Sequence, residues 1–292
     1  MATLKDIAQR AGVTATTVSR VINNRGYISE GTRKKVYAAM EEMHYQPNEL
    51  ARAFSKQYTN TIGLIVPHIS HPFFIKVISN LESSAAEKGF KLLLCNSKEQ
   101  PEKEQDYLDM CISNRVAGIV LCSKYVQTRE FRKMNIPVVN LERGGDDDTI
   151  SVQCDNYQGG KLAAEHLIEC GCKNLLHFGG VAGKDMPADR RADGFSDVCK
   201  KAGIPYRILV SDRLQYGSMH YEDFIRRALQ EFPDVDGIFA SSDLIASQVI
   251  QVGAQMDKHV PEDIQLVGFD DVMISTVTTP QITTIHQPVE EM

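Results

Sequence analysis

The sequence predicts a two-part protein: a small all-helical head, then an α/β body of two doubly wound parallel-sheet lobes. Three observations lead there. Apolar residues recur at helical spacing in the first 60 positions, and from Ile62 onward short apolar runs alternate with helical stretches. The charge also changes sign. Residues 1–60 hold 9 Lys and Arg against 5 Asp and Glu, and the remaining 232 hold 23 against 33. That is +4 on the head and −10 on the body, as expected when only the head meets a polyanion.

In the head, Leu4, Ile7, Ala8 and Ala11 share one face of a first helix, and Gly12 breaks it. Thr14 is placed to cap a second helix that turns Val18, Val21 and Ile22 inward. Ser29 is placed to cap a third, with Val36, Ala39, Met40 and Met43 on its apolar face. Pro47 in HYQPNE marks its end. The bridge from Asn48 can form a helix over 49–55, too short to persist without a partner.

In the body, strands are predicted at 62–67, 91–96, 117–123 and 137–141, with helices near 73–88, 102–114 and 127–134. The pattern repeats with strands at 150–155, 174–180, 207–212, 237–242 and 264–271. Apolar runs bounded by turn residues suit strands buried in parallel sheets. The cleft between two such lobes, at the carboxyl ends of their strands, is the expected ligand site.

The composition is that of a globular chain, 42% hydrophobic and 24% charged. No apolar run approaches the ~18 residues of a membrane span, so no membrane partner is expected. The start, MATLKDIAQR, has no apolar signal region. Together with an odd count of seven Cys, this points to a reducing, cytoplasmic location. Cys170 and Cys172 have no second ligand pair at metal spacing, so neither metal nor cofactor is expected.

Helix, Gly-containing turn and helix make a helix-turn-helix. The outward residues Ala15, Thr16, Ser19, Arg20 and Asn23 are small or hydrogen-bonding and none is acidic, as a reader of base edges requires. The alternative is a solvated helical cap. The stretch TLKDIAQRAGVTATTVSRVINN, with the later blocks HPFF, CDNYQGG, R-x-x-G-F, IFASSD, PEDIQLVGFDD and TTIHQP, resembles the LacI (lactose-repressor) family of bacterial transcription regulators. Within that family it is most similar to the sucrose and ribose operon repressors. The resemblance runs along nearly the whole chain.

That resemblance implies a repressor that binds double-stranded operator DNA as a homodimer and answers to a small sugar or sugar phosphate. It puts Ala15 and Thr16 at base edges, and Arg20 on a guanine or a phosphate. Thr14, Thr17, Ser19, Asn23 and Tyr27 would hold the backbone. The bridge corresponds to the family's hinge helix, and Phe54 stands where a Leu usually wedges into the minor groove. The other reading packs Phe54 on the body. The expected domains are a DNA-binding head, 1–47; a hinge, 48–61; and an effector-binding and dimerisation body, 62–292. The family normally runs some tens of residues further, so the body is expected to be shortened at its carboxyl end.

The cleft motifs are also similar to those of periplasmic sugar-binding proteins, which share the two-lobed fold. By that likeness Phe73 and Phe74 flank a sugar ring, though two adjacent Phe also suit a core. Glu142, Arg143, Arg191, Ser242, Asp270 and Gln287 would meet its hydroxyls. The charged members of this set, Arg191 included, are expected at the ends of strands. His71 replaces a common Asn, and Tyr216 is the one aromatic available in the 211–217 loop. The rival classes are a sugar-binding protein without operator function and an enzyme. FGGVAG (178–183) lacks the first Gly of a dinucleotide loop, and there is neither G-x-S-x-G nor H-E-x-x-H, so no catalysis is expected.

Overall fold

The computed structural model of the chain describes residues 2–45, 58–123, 136–144, 149–181 and 186–292. The expected hinge helix with Phe54, the helix at 127–134 and the end of the 178–183 turn lie outside the described residues. The chain divides into two compact units, Met1–Thr59 and Asn60–Met292.

The first unit has three described helices: α1 (Leu4–Ala11), α2 (Ala15–Ile22) and α3 (Glu30–Glu42). Each starts on a hydroxyl cap. Thr3 and Asp6 exchange bonds in a capping box, Thr14 Oγ1 accepts from the Thr17 N–H at 3.2 Å, and Ser29 Oγ accepts from that of Thr32 at 3.3 Å. Gly12, at φ 66°, ends α1 in the left-handed conformation and satisfies its last carbonyls. Ile7, Ala8, Val18, Val21, Val36 and Ala39 form the core. Leu4 departs from the expected face: at the first helical position it is 37% exposed, one turn short of the packed centre. An exposed two-point ion pair, Arg10 with Glu42, aligns α1 with α3.

In the second unit, the first lobe contains β1 (Thr61–Val66), α4 (Pro72–Glu87), β2 (Lys91–Asn96), α5 (Pro101–Ser113), β3 (Gly118–Leu121), β4 (Val138–Leu141) and β5 (Ile150–Val152). Its strands are all parallel, in the order β2-β1-β3-β4-β5. The second lobe begins with α6 (Asn156–Glu169), β6 (Leu175–Val181), α7 (Arg190–Ala202) and β7 (Tyr206–Ser211). It continues through α8 (Arg213–Ser218), α9 (Glu222–Glu231), β8 (Gly237–Ala240), α10 (Asp243–Gln255), β9 (Gln265–Asp270), α11 (Met273–Val277) and β10 (Thr283–His286). Its order, β10-β9-β8-β6-β7, is the same winding counted from its own first strand.

Two expectations are corrected. The strand near 150 closes the first sheet against β4 instead of opening the second, because Val139–Leu141 pair in register with Ile150–Val152. The fifth strand of the second sheet is then β10, which the strand predictions omit. After β10 the chain returns to the first lobe, where Val289 and Met292 pack beside Leu64, Val66 and Phe73.

Two glycines explain how the second lobe is assembled. A Cβ on Gly160 would lie 2.0 Å from the Arg191 carbonyl oxygen, and one on Gly194 would lie 2.0 Å from that of Tyr157. The backbones of α6 and α7 therefore touch, which sets the amino ends of both helices side by side. Beneath them His177 stacks on Phe239 at 4.5 Å between centroids and bonds through Nδ1 to the Phe239 carbonyl at 2.9 Å. Burial holds this imidazole down at about 4, so it stays neutral.

Candidate functional site

In the head, α2 turns Val18 and Val21 fully inward, and this fixes what faces out. Ala15, Thr16 and Arg20 are exposed on the opposite face, and Tyr27 is 96% exposed beyond it. Thr17, Ser19 and Asn23 are half-buried along the flank. Asn23 donates from Nδ2 to the Ser19 carbonyl at 2.8 Å, so its amide completes the helix end. The Thr14 hydroxyl sits 2.9 Å from that of Thr17 as well as capping the helix. The face has no acidic side chain, and Arg20 reaches out from the last turn. Of the residues expected at DNA, Phe54 lies outside the described residues.

In the body, the cleft lies between the lobes at the carboxyl ends of their strands. It is lined by His71, Phe73, Phe74 and Glu142 of the first lobe. The second lobe contributes Gly179, Gly180, Met186, Ala188, Arg191, Ser211, Tyr216, Tyr221, Ser241, Ser242, Ile245 and Asp270, and Gln287 follows β10. The cavity measures about 110 Å³.

Seven of the eight sequence-predicted effector residues line this cavity. Phe73 and Phe74 meet edge to face at 5.2 Å; both line the cleft and both pack into the first-lobe core. Arg143 is the exception. It donates through Nη1 to Asn140 Oδ1 at 2.9 Å. Arg191 does not end a strand: it is the second residue of α7, placed by the glycine-mediated contact with α6.

The polar groups form one continuous network. Glu142 Oε1 accepts from the Cys154 N–H at 2.5 Å, and Oε2 accepts from Asn156 Nδ2 at 3.1 Å. Asn156 Oδ1 accepts from Arg191 Nε at 2.7 Å. Arg191 Nη1 donates to the Ser241 carbonyl at 2.5 Å and lies 3.9 Å from Asp270 Oδ1. Its guanidinium carbon sits 3.5 Å from the Phe269 ring centroid, a cation–π contact sheltered from water. Gln287 Nε2 donates to Asp270 Oδ1 at 2.7 Å.

Burial pushes the Asp270 carboxyl up to about 7; the Arg191 guanidinium and Gln287 amide oppose it, while the Asp243 and Glu142 carboxylates add to it. Asp270 also has φ 108°, and Glu142 has φ 48°. Non-glycine residues in this region are strained, and such strain gathers at working sites. Burial, with the charges of His68 and Arg191 nearby, holds His71 down at about 4, and its Nδ1 accepts from the Phe73 N–H at 3.3 Å. Ser242 caps α10 through Oγ, which accepts from the Ile245 N–H at 3.3 Å.

Sequence reasoning missed Asn156, Tyr221 and Asp243. Asn156 opens α6 directly after its Asp155 cap, which was the available signal. Asp243 is fully buried behind the cleft, where Oδ1 accepts from Thr284 Oγ1 at 2.5 Å and Oδ2 from the Val272 N–H at 2.9 Å. It ties β10 to the turn after β9 and so holds Asp270 in place.

Comparison with known proteins agrees with both halves. Residues 59–292 match the family model described as periplasmic binding proteins and sugar binding domain of LacI family, and residues 3–48 match bacterial regulatory proteins, lacI family. The chain is 35% identical over 292 residues to the ribose operon repressor of Halalkalibacterium halodurans, covering 100% of this chain and 87% of that protein. It is 36% identical over 295 residues to the sucrose operon repressor of Pediococcus pentosaceus, covering 99% and 88%. Among solved structures it is similar to a periplasmic binding protein/LacI transcriptional regulator from Alkaliphilus metalliredigens complexed with D-xylulofuranose. That match has 32% identity and a TM-score of 0.71, and covers 80% of this chain and 86% of that one.

Proposed function

The chain belongs to the LacI family of bacterial regulatory proteins, and from that membership we propose that it represses a carbohydrate-utilisation operon in the cytoplasm. It is a DNA-binding regulator, not an enzyme. Two copies place their heads, residues 1–47, on a pseudo-palindromic operator. A small sugar or sugar phosphate in the cleft of the body, residues 62–292, releases them. Ala15 and Thr16 read base edges, and Arg20 contacts a guanine or a phosphate. Thr14, Thr17, Ser19, Asn23 and Tyr27 set the helix on the backbone. The hinge, 48–61, folds in the minor groove with Phe54 as its wedge.

The observation that carries this reading is the pairing, in one chain, of an outward acid-free helix face with a cleft lined by the buried polar side chains Glu142, Arg191, Asp270 and Gln287. Coupling needs the effector to favour one arrangement of the lobes over another. The network from Glu142 through Asn156 to Arg191 and Asp270 spans both lobes, so a ligand that engages it acts on both. A short hinge helix cannot persist alone, so a change in lobe arrangement that parts two hinges removes them from the groove.

The test is selection of bound duplexes from a randomised pool, repeated with Ala15 and Thr16 both replaced. The wild-type chain should return a palindromic consensus whose affinity falls steeply with salt, and the double variant should return a different one. An unchanged consensus would remove α2 as the reading element. Failure to retain any duplex would remove the operator function itself.

A further inference from the structure

We propose that the effector is an uncharged polyol sugar and that the cleft excludes its phosphate esters. This rests on the reading of the cleft as the effector site and goes one step beyond it. Among the described residues that line the cavity, Arg191 is the one permanent cation; it lies 3.9 Å from the Asp270 carboxyl and is joined through Asn156 to Glu142. Part of its fork is already directed: Nε goes to Asn156, Nη1 goes to the Ser241 carbonyl, and its face lies against Phe269. His71, held neutral at physiological pH, adds no positive charge.

The hydrogen-bonding capacity left open points the same way. Gln287 is 1% exposed and commits its amide N–H to Asp270, which fixes its orientation. Its Oε1 is then a buried acceptor that has no partner among the described residues. Ionised Asp270 accepts only. Both therefore call for a donor from the ligand. A sugar hydroxyl donates and accepts, whereas a phosphate at neutral pH offers acceptors and carries a charge of about −1.5 to −2. Placed here, an ester group would leave Gln287 Oε1 unfilled and set a second anion against Asp270.

The experiment is titration calorimetry of the full chain at pH 7.5 with matched pairs: D-ribose and its 5-phosphate, D-fructose and its 6-phosphate, D-glucose and its 6-phosphate. At least one parent sugar should bind, and its ester should bind at least about tenfold more weakly. In Asp270→Asn the parent should weaken while the ester does not, so that the ratio closes to within about threefold. An ester tighter than its parent overturns the inference and leaves the sugar-responsive reading standing. A ratio unchanged in Asp270→Asn overturns the part given to Asp270. Operator binding with no response to any parent or ester overturns both the inference and the reading beneath it.

Discussion

The two lobes wind their five strands in the same order, yet they face the cleft differently. The first lobe offers two Phe rings, a neutral His71 and one carboxylate, Glu142, whose oxygens are both taken by the chain that crosses to the second lobe. The second lobe offers Asp270 and Arg191, with Gln287 at the crossover behind them, where bonding capacity remains for a ligand. Under the proposed function, one layout thus supplies both a wall and a reader. The difference comes from the turns that leave the strands. After β1 an acid-free turn at 67–71 enters α4 under a His71 cap, whereas after β9 two acidic residues turn back at φ 108° and 52°.

If the second lobe reads the ligand, its substitutions should cost most. Asp270→Ala or Arg191→Ala should weaken the sugar by roughly ten- to a hundredfold, the worth of one charge-assisted hydrogen bond. Operator binding in the absence of sugar should persist. Asp270→Asn adds a sign. The folded carboxyl sits at about 7 against an ordinary 3.8, so its contribution to stability is full below about 4 and is lost as pH rises through 7. The Asn variant should therefore melt higher than wild type at pH 8 while losing sugar. In the wild type, sugar affinity should rise with pH between about 6 and 8 as the acceptor ionises. Calorimetry and melting curves at both pH values check this, and an Asn variant that melts lower at pH 8 would reverse the argument.

The next effect tests whether the first lobe acts through the second. Glu142→Gln should lower affinity by about three- to tenfold and cost about 1–3 kcal/mol of stability, the penalty of a buried mismatch. Gln can still accept from the Cys154 N–H, but its amide then meets the Asn156 amide. Asn156 cannot flip, because Arg191 Nε holds its oxygen. Glu142 is a positioning residue by this account. An Asn156→Asp partner, which offers the Gln amide an acceptor, should recover part of the affinity.

Much of this layout was legible in the sequence because parallel strands are apolar runs, although the strands expected at 117–123 and 150–155 shorten to Gly118–Leu121 and Ile150–Val152. Sheet membership was not legible. Ile150–Val152 is three residues long with two exposed, and only its partner β4 says which sheet it joins. The cleft residues could be named because the resemblance to the family places them at its motif positions. Their commitments could not, since Glu142 meets Asn156 across 14 residues and Asn156 meets Arg191 across 35. Arg191 was expected at a strand end because the sequence does not reveal that Gly160 and Gly194 bring two helix ends together.

A smaller effect is expected at the wall. Phe73→Leu and Phe74→Leu keep an apolar side chain in the core and remove only the ring. Aromatic contacts add about 0.5–1.5 kcal/mol beyond area, so affinity should fall by roughly two- to tenfold. A loss as large as that of Asp270→Ala would dissolve the division between wall and reader.

The smallest effect belongs to Arg143, which follows Glu142 in sequence and shares its turn. Its neighbour lines the cavity, but Arg143 is not among the lining residues and bonds Asn140, and Asn140 in turn bonds Thr149 at 2.6 Å. This joins the end of β4 to the start of β5. Arg143→Lys keeps the charge and loses the planar fork, so the first lobe should loosen and the melting temperature should fall by a few degrees. Sugar affinity, measured well below that melting point, should stay within about twofold of wild type. The contrast with Glu142→Gln is the sharpest available, because the two positions are adjacent and both buried. They differ in which side of the strand end they serve. A large loss of sugar affinity in Arg143→Lys without a change in melting would place Arg143 among the readers and give the first lobe a recognition role of its own.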